Sequence, residues 1–574
     1  MTNRQFISPL LLCGLLAACG SANDLVADKG ADSNNAVIGK LDLPDSGGDT
    51  LRFAADNFSY CPVVFTALED VGISLPDGWL QSAEIPEGYI RAGQTDTFYV
   101  APTGPAMHQR TAAIIFTGRQ SGKSLSLTLL QASQPLTDGL PARWYYSKEF
   151  ANDCGWTSQA AAPANYGNGA RSAVVTAVGT NNRRLGHEIA TTYKQSVATS
   201  NLYTGDYLLF SVPVRSLPAA TDVDFMLTIS GNDNDAPKYW IAEIWDGTAW
   251  QKPKAADLKQ VDGEDYSFYT KFYKSYNHCT FLQSFTLPEA LTDDYVRIRC
   301  RVVGHRNGAD GELSPTNTGA VYLPSHEFPF CTIAAYPGIP LKDTKKVAIF
   351  GNSFTHYFAT AYMLKELARS QGHGLDVRIN VKGAQYLRNH LELERSIDVT
   401  NEGGYDFALL QDQSTQHSTY ADKADPAILS ETEALSARLR AKSPSATIIL
   451  ENTWAYPKTD WQGYGSAEAF EGKLLTGAKA VAAADKNIDC VSPIGVAFNK
   501  AWAEGLTDLW YSDDKHPNRN GSYLKACVNY LVIFGTPFDD RAANCDVEPA
   551  TAARLRSIAE ATVLGHEAEY SIKR

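Results

Sequence analysis

The sequence predicts a multidomain chain: two β-sandwich domains followed by a doubly wound α/β domain with a parallel sheet. Three observations carry this. Up to about Pro337, short alternating or apolar runs are divided by Gly, Pro, Asn and Asp, a strand-and-turn texture. From Lys342 onward, strand-like runs alternate with helix-length runs, the pattern of a parallel sheet flanked by helices. The chain has 574 residues, 44% hydrophobic and 20% charged. That is room for about four domains of roughly 150 residues, with globular composition.

The first element is not part of a fold. "MTNRQFISPLLLCGLLAACG" has a charged start at Arg4 and a short apolar stretch of signal-peptide length, covering 1–18. It ends Leu16-Ala17-Ala18-Cys19, which resembles the bacterial lipobox. The resemblance implies cleavage before Cys19, lipidation of its thiol and a lipid-anchored place in the cell envelope, on a periplasmic or surface face. Cys13 fits less well, because Leu12 precedes it. A plain secretory signal or a short membrane anchor is the competing reading. No later run of about 20 apolar residues is present to span a membrane. Residues 19–37 are small, polar and mildly acidic, and read as a flexible tether.

Eight more cysteines follow: Cys61, Cys154, Cys279, Cys300, Cys331, Cys490, Cys527 and Cys545. An even number permits disulfides outside the cytoplasm, with no pairing deducible. No CxxC pair suggests a zinc ribbon, and no metal or cofactor is expected. The net charge of −13 and the lack of a Lys/Arg run argue against nucleic acid as a partner.

Residues 38–136 form the first β unit. In "RTAAIIFTGRQSGKSLSLTLLQASQP" two strand-like runs flank a Gly-containing turn, a hairpin. Its ending, "SLTLLQASQ", resembles the last strand of BACON domains, which implies a spacer or weak glycan-contact role. Residues 137–338 are again β-like, with strands in "DVDFMLTISG", "KYWIAEIWDGTAW", "CTFLQSFTLP" and "YVRIRCRVVG". Asp246-Gly247 between two Trp-bearing segments is a hairpin signal. It resembles hairpins of jelly-roll, galactose-binding-like modules. Trp240, Trp245 and Trp250 either offer rings to a sugar or, as such residues more often do, pack a sandwich core.

Residues 339–574 form the α/β domain, and the change of texture near Leu341 predicts a separable module. Its first strand runs into "GNSF" and then a helix, placing Ser353 at a strand-to-helix junction. There a serine is either an N-cap or a nucleophile. Near the domain's far end, "YSDDKHPNRNGSYLKA" sets Asp513 three residues before His516. A nucleophilic serine needs a base, and the base needs an orienting carboxylate. In a doubly wound sheet these loops converge on one crevice.

At this point the domain resembles an SGNH (GDSL-like) hydrolase, whose fold is flavodoxin-like. Gly351-Asn352-Ser353-Phe354 matches the nucleophile block, Gly383 in "VKGAQYL" the oxyanion glycine, and Asp513-x-x-His516-Pro517 the last block. The resemblance implies a Ser353–His516–Asp513 triad and an oxyanion hole built on the Ser353 and Gly383 amides. The family's Gly-x-Asn-Asp block is missing; the third strand ends "ALLQDQSTQ". Gln411 or Gln413 carries the same carboxamide donor on a longer arm, and Gln413 is the expected third donor. Without either, two backbone donors remain. Asn352 is assigned a structural bond only, and His356, His390 and His417 are read as surface or helix histidines.

The resemblance implies acyl transfer to water. Beside a jelly-roll module in a lipoprotein, it points to removal of acyl groups, foremost acetyl, from a polysaccharide or glycan. Trp454, Tyr456 and Trp461 in "ENTWAYPKTDWQGYG" follow the fourth strand, and are expected either to line the crevice for sugar rings or to pack a loop. The alternatives are a lipid or general carboxylesterase, and a glycan-binding lipoprotein without catalysis.

Overall fold

The computed structural model describes residues 37–573, apart from 44–49, 55–59, 134–138, 145–160, 164–165, 168–172, 180–184, 191–195, 232–235, 271–278, 308–319, 325–329, 458–462 and positions 77, 105 and 107. Cys19, Cys154 and Trp461 lie outside the described residues.

The first unit pairs two four-stranded sheets. One runs Ile38–Asp42, Cys61–Ala67, Thr95–Pro102, Leu80–Ala83; the other runs Thr50–Phe53, Ser124–Gln131, Arg110–Gly118, Val71–Ser74. Strands alternate buried and half-exposed positions, as in Cys61–Ala67, so one face of each sheet is apolar. Phe65, Phe98 and Phe116 meet between the sheets at ring distances of 5.0–6.3 Å. The expected hairpin is present, with Arg110–Gly118 antiparallel to Ser124–Gln131.

The second unit packs a seven-stranded on an eight-stranded sheet. Trp240 is buried and stacks on Phe268, so it belongs to the core. Trp245 and Trp250 face each other across the Asp246-Gly247 turn, with Arg299 over Trp250. Asp246 accepts from the amides of Thr248 and Ala249, which closes that turn. Among the described residues, Cys61, Cys300, Cys331, Cys490, Cys527 and Cys545 are buried.

The α/β domain has five parallel strands: β1 (Asp343–Gly351), β2 (His373–Val381), β3 (Phe407–Leu410), β4 (Thr447–Glu451) and β5 (Cys490–Ser492). Their order is 2-1-3-4-5, the flavodoxin-like winding with its switch point between β1 and β3. The helices are α1 (Ser353–His356), α2 (Thr360–Ser370), α3 (Glu394–Glu402), α4 (Gln416–Lys423), α5 (Pro426–Lys442), α6 (Ala467–Ala484), α7 (Ile494–Ala503), α8 (Arg519–Phe534) and α9 (Pro549–Val563). They cover both faces, which explains why strands such as β4 are buried on both sides.

The units are not beads on a linker. Met226 and Leu282 of the second sandwich sit within the α/β core. Around them, Lys365 pairs with Asp224 at 3.2 Å, Arg143 with Glu366 at 2.9 Å and also with Asp546, and Arg369 with Asp222 at 3.1 Å. Lys365, Glu366 and Arg369 all come from α2, so its outward face is polar in sequence but buried in the molecule. The module expected to be separable from the change of texture near Leu341 therefore shares a charged and apolar interface with the second sandwich. Charge on a helix face signals solvent only when no partner domain supplies counter-charges.

Candidate active site

Ser353 begins α1, directly after β1. Its turn is held from four sides. Asn352 caps α1 by accepting from the Phe354 amide at 3.1 Å. The same side chain donates to Gln385 O at 2.8 Å and Asp412 O at 3.2 Å, tying the ends of β1, β2 and β3 together. Gln411 Oε1 accepts from the Asn352 amide at 3.1 Å and from Thr355 Oγ1 at 3.0 Å. Gly351 is required here, because a Cβ would stand 2.7 Å from Thr355 Oγ1 and 2.9 Å from Gln411 Oε1.

Beneath the turn lies a buried ion pair. Lys525 of α8 reaches Glu451 at the end of β4 at 2.6 Å, with both side chains 1% exposed. Lys525 Nζ also donates to Thr355 Oγ1 at 2.7 Å, and Asn529 donates to Glu451 Oε1 at 2.7 Å. A buried charge is tolerated only when paired and hydrogen-bonded. Here the pairing links the nucleophile turn to the helix that follows the base.

The base arrives on the loop 509–518. That loop is closed by Tyr511 N donating to His516 O at 2.8 Å and Asn518 N donating to Leu509 O at 2.9 Å. His516 Nε2 lies 2.8 Å from Ser353 Oγ, and His516 Nδ1 lies 2.5 Å from Asp513 Oδ2. Asp513 Oδ1 also accepts the amides of Lys515 and His516, each at 3.0 Å. Burial raises the Asp513 carboxyl, but the bonds from the His516 ring and the two amides outweigh it and hold it below the ordinary carboxylate range. Tyr357 stacks on the imidazole at 4.3 Å, and Phe354 meets it edge-on at 5.3 Å.

The oxyanion side follows from register. Gly351 pairs with Val381 across β1 and β2, so Ser353 and Gly383 each stand two residues past paired positions on adjacent strands. Asp412, 3% exposed, holds this loop by accepting from the Leu387 amide at 3.0 Å, and burial pushes its carboxyl up to about 6. Left-handed non-glycine residues flank the site: Phe358 and Ala359 after α1, Ala384 beside Gly383, and Asp514 beside Asp513. Such backbone persists only where surrounding structure over-determines it.

Several expectations need correction. Gln413, the expected third donor, is held by its neighbours: its Oε1 accepts from Thr415 N and Oγ1, both at 2.8 Å, and its Nε2 donates to Ser414 Oγ at 3.3 Å. The Gln411 amide is turned onto Asp412 O. Trp454 is 1% exposed, sandwiched between Phe354 at 4.5 Å and Phe498 at 4.4 Å. Tyr456 is 3% exposed and bonded to Ser414 Oγ. Both are core residues and present no face to a sugar. Of the surface and helix readings of His356, His390 and His417 the helix one holds: all three lie in helical segments, and all three are buried. His390 donates from Nε2 to Gly351 O at 3.2 Å and accepts from Ser396 Oγ at 2.7 Å, bracing the carbonyl two residues before Ser353.

Lys525, Glu451, Asp412 and His390 were not foreseen as part of the site. One signal was available. Glu451 and Lys525 interrupt otherwise apolar runs, "ATIILE" and "YLKACVNYLVIF", where a charge needs a partner.

With Ser353 after β1, Gly383 after β2 and Asp513/His516 ahead of α8, the flavodoxin-like C-terminal domain carries three of the four blocks described above, in chain order, at the carboxyl end of its parallel sheet. No family model and no curated protein matches the chain. Among solved structures, it is similar to a DUF4886 family protein from Bacteroides uniformis, at 18% identity over 40% of this chain and 100% of that one, TM-score 0.33. It is also similar to an acetyl xylan esterase from Geobacillus stearothermophilus, at 17% identity over 34% and 96%, TM-score 0.26. A third is a carbohydrate esterase family 2 enzyme with a carbohydrate binding domain from Corynascus thermopiles, at 12% identity over 61% and 98%, TM-score 0.27. These likenesses carry no chemistry; the chemistry rests on this chain's own geometry.

Proposed function

We propose that the chain is a serine esterase that removes acyl groups, foremost acetyl, from a polysaccharide or glycan. The observation that carries this is the unbroken line Ser353 Oγ–His516 Nε2, His516 Nδ1–Asp513. Ser353 attacks the ester carbonyl while neutral His516 takes its proton. The sugar alkoxide leaves with that proton, and a water repeats the sequence on the acyl-enzyme. Asp513 fixes the tautomer that leaves Nε2 free to accept. The Ser353 and Gly383 amides would meet the oxyanion. Lacking one side-chain donor costs about 10²–10³ in rate, so a two-donor hole still supports turnover.

The triad is open to solvent, with the Asp513 side chain 40% and that of His516 23% exposed. An exposed site favours a bulky polymer carrying a short acyl group. Ser353→Ala and His516→Ala should each lower release of acetate from an aryl acetate by at least about 10³-fold, and the double variant should be hardly worse than either single. Undiminished turnover in Ser353→Ala would remove the serine-esterase reading.

We also propose attachment to the cell envelope through Cys19, on the strength of Leu16-Ala17-Ala18-Cys19. Cys19→Ser should move the protein from the membrane to the soluble fraction; a variant still wholly membrane-bound would refute the anchor.

A further inference from the structure

The groups that hold the His516 ring do not all act through its nitrogens. Asp513 bonds to Nδ1 and Ser353 to Nε2, whereas Tyr357 covers a face of the ring, its centroid 4.3 Å away and its plane 19° from parallel. Tyr357 stands just past Ser353 on the nucleophile's own turn, so one short piece of chain presents the serine and faces the base.

The backbone is bent to put that ring there. Tyr357 leaves α1 with φ −56° and ψ 135°, and the next two residues, Phe358 and Ala359, both have left-handed backbone, with φ of 53° and 55°. Such backbone is unfavourable for a residue with a Cβ and persists only where its surroundings fix it. Here Tyr357 O accepts from Ser522 Oγ of α8 at 3.0 Å and from Thr360 Oγ1 at 3.2 Å, while Phe358 packs on the α/β core. Tyr511, on the loop that carries His516, meets the Tyr357 ring at 5.9 Å and 83°. The tyrosine is therefore set in place by the fold before any substrate arrives.

The imidazole is neutral while it waits and becomes a cation once it has taken the Ser353 proton. An aromatic face attracts a cation more than a neutral ring, so this contact strengthens as the proton moves, when stabilisation raises the rate. Asp513 meets the same developing charge at Nδ1.

We propose that Tyr357 is a positioning residue for His516: its ring fixes the plane of the imidazole, and its face stabilises the imidazolium formed when His516 takes the Ser353 proton. The inference rests on the serine-esterase reading.

The test is hydrolysis of an aryl acetate by the full chain, with kcat and KM followed separately and thermal unfolding run on each variant. Tyr357→Phe keeps the face and should stay near wild type. Tyr357→Leu has no face and should lower kcat and kcat/KM together by about 3- to 30-fold, with KM unchanged. Tyr357→pentafluorophenylalanine keeps the shape of the Phe variant, but its fluorines draw the negative charge off the ring face. It should lose turnover as Tyr357→Leu does, which a packing role would not produce, and it decides the matter should the leucine variant fail to fold. Acetate release that survives Ser353→Ala would overturn the esterase reading and this inference with it. Release that depends on Ser353 but is the same in the phenylalanine and pentafluorophenylalanine variants would leave the esterase standing and refute the role of Tyr357.

Discussion

His390 illustrates how a single residue's environment sets its chemistry. Its ring is held neutral by burial, which pushes its pKa from 6.5 down to about 4. The unfolded chain therefore binds a proton there between about pH 6.5 and 4 that the folded chain refuses. The stability due to His390 is full above about pH 6.5 and is lost as pH falls toward 4. His390→Gln can keep a donor to Gly351 O but cannot titrate. Urea unfolding from pH 7.5 to 4.5 should show wild type losing more stability than the variant, by about 2–3 kcal/mol at the acid end. Parallel curves would mean that His390 is not the buried neutral ring described. Asp412 has the opposite sign: raised to about 6 from 3.8, it binds its proton more tightly when folded, so its contribution declines as pH rises between those values.

Among the described glycines, the tightest backbone contact lies between α4 and α6. A Cβ on Gly477 of α6 would lie 1.7 Å from His417 O of α4, a backbone atom that cannot swing aside. Five residues earlier on the same helix, a Cβ on Gly472 would meet nothing within 4 Å. Two identical substitutions should therefore have opposite effects. Gly477→Ala should destabilise by at least about 1–3 kcal/mol through overpacking, whereas Gly472→Ala should stabilise by about 0.5–1 kcal/mol through helix propensity. Thermal unfolding of the two variants checks this, and equal shifts would contradict the packing. The α4–α6 contact matters to the site because the loop 411–415 that leads into α4 carries Gln411 and Asp412.

At the scale of the whole molecule, the second sandwich is part of the α/β domain's structure. Removing it would leave Lys365, Glu366 and Arg369 without Asp224, Arg143 and Asp222, and would expose the surface that Met226 and Leu282 cover. The three charges would be solvated, so the loss comes chiefly from the apolar surface that Met226 and Leu282 cover and that would then face water. A fragment covering 339–574 should be insoluble or molten, beside a full chain that is folded and active. A fragment with full aryl-acetate activity and cooperative unfolding would show the interface to be dispensable.

The sequence by itself determined the kind of fold and the likeness of the site to a triad. Hydrophobic period and turn residues are local, so strands in "DVDFMLTISG" and "YVRIRCRVVG", the hairpin after Arg110 and the β–α alternation after Lys342 were legible. Ser353, Gly383, Asp513 and His516 were legible because each sits in a short block beside a strand or helix end. What the tertiary structure alone decided is which polar groups find each other. Gln413 bonded to Thr415 two residues on, Trp454 and Tyr456 went into the core, and Lys525 paired with Glu451 from a distant part of the chain. The sequence marks a charge or an aromatic ring as needing surroundings, but long-range packing chooses those surroundings. A lone block cannot tell whether a carboxamide points at an oxyanion or at the next backbone amide.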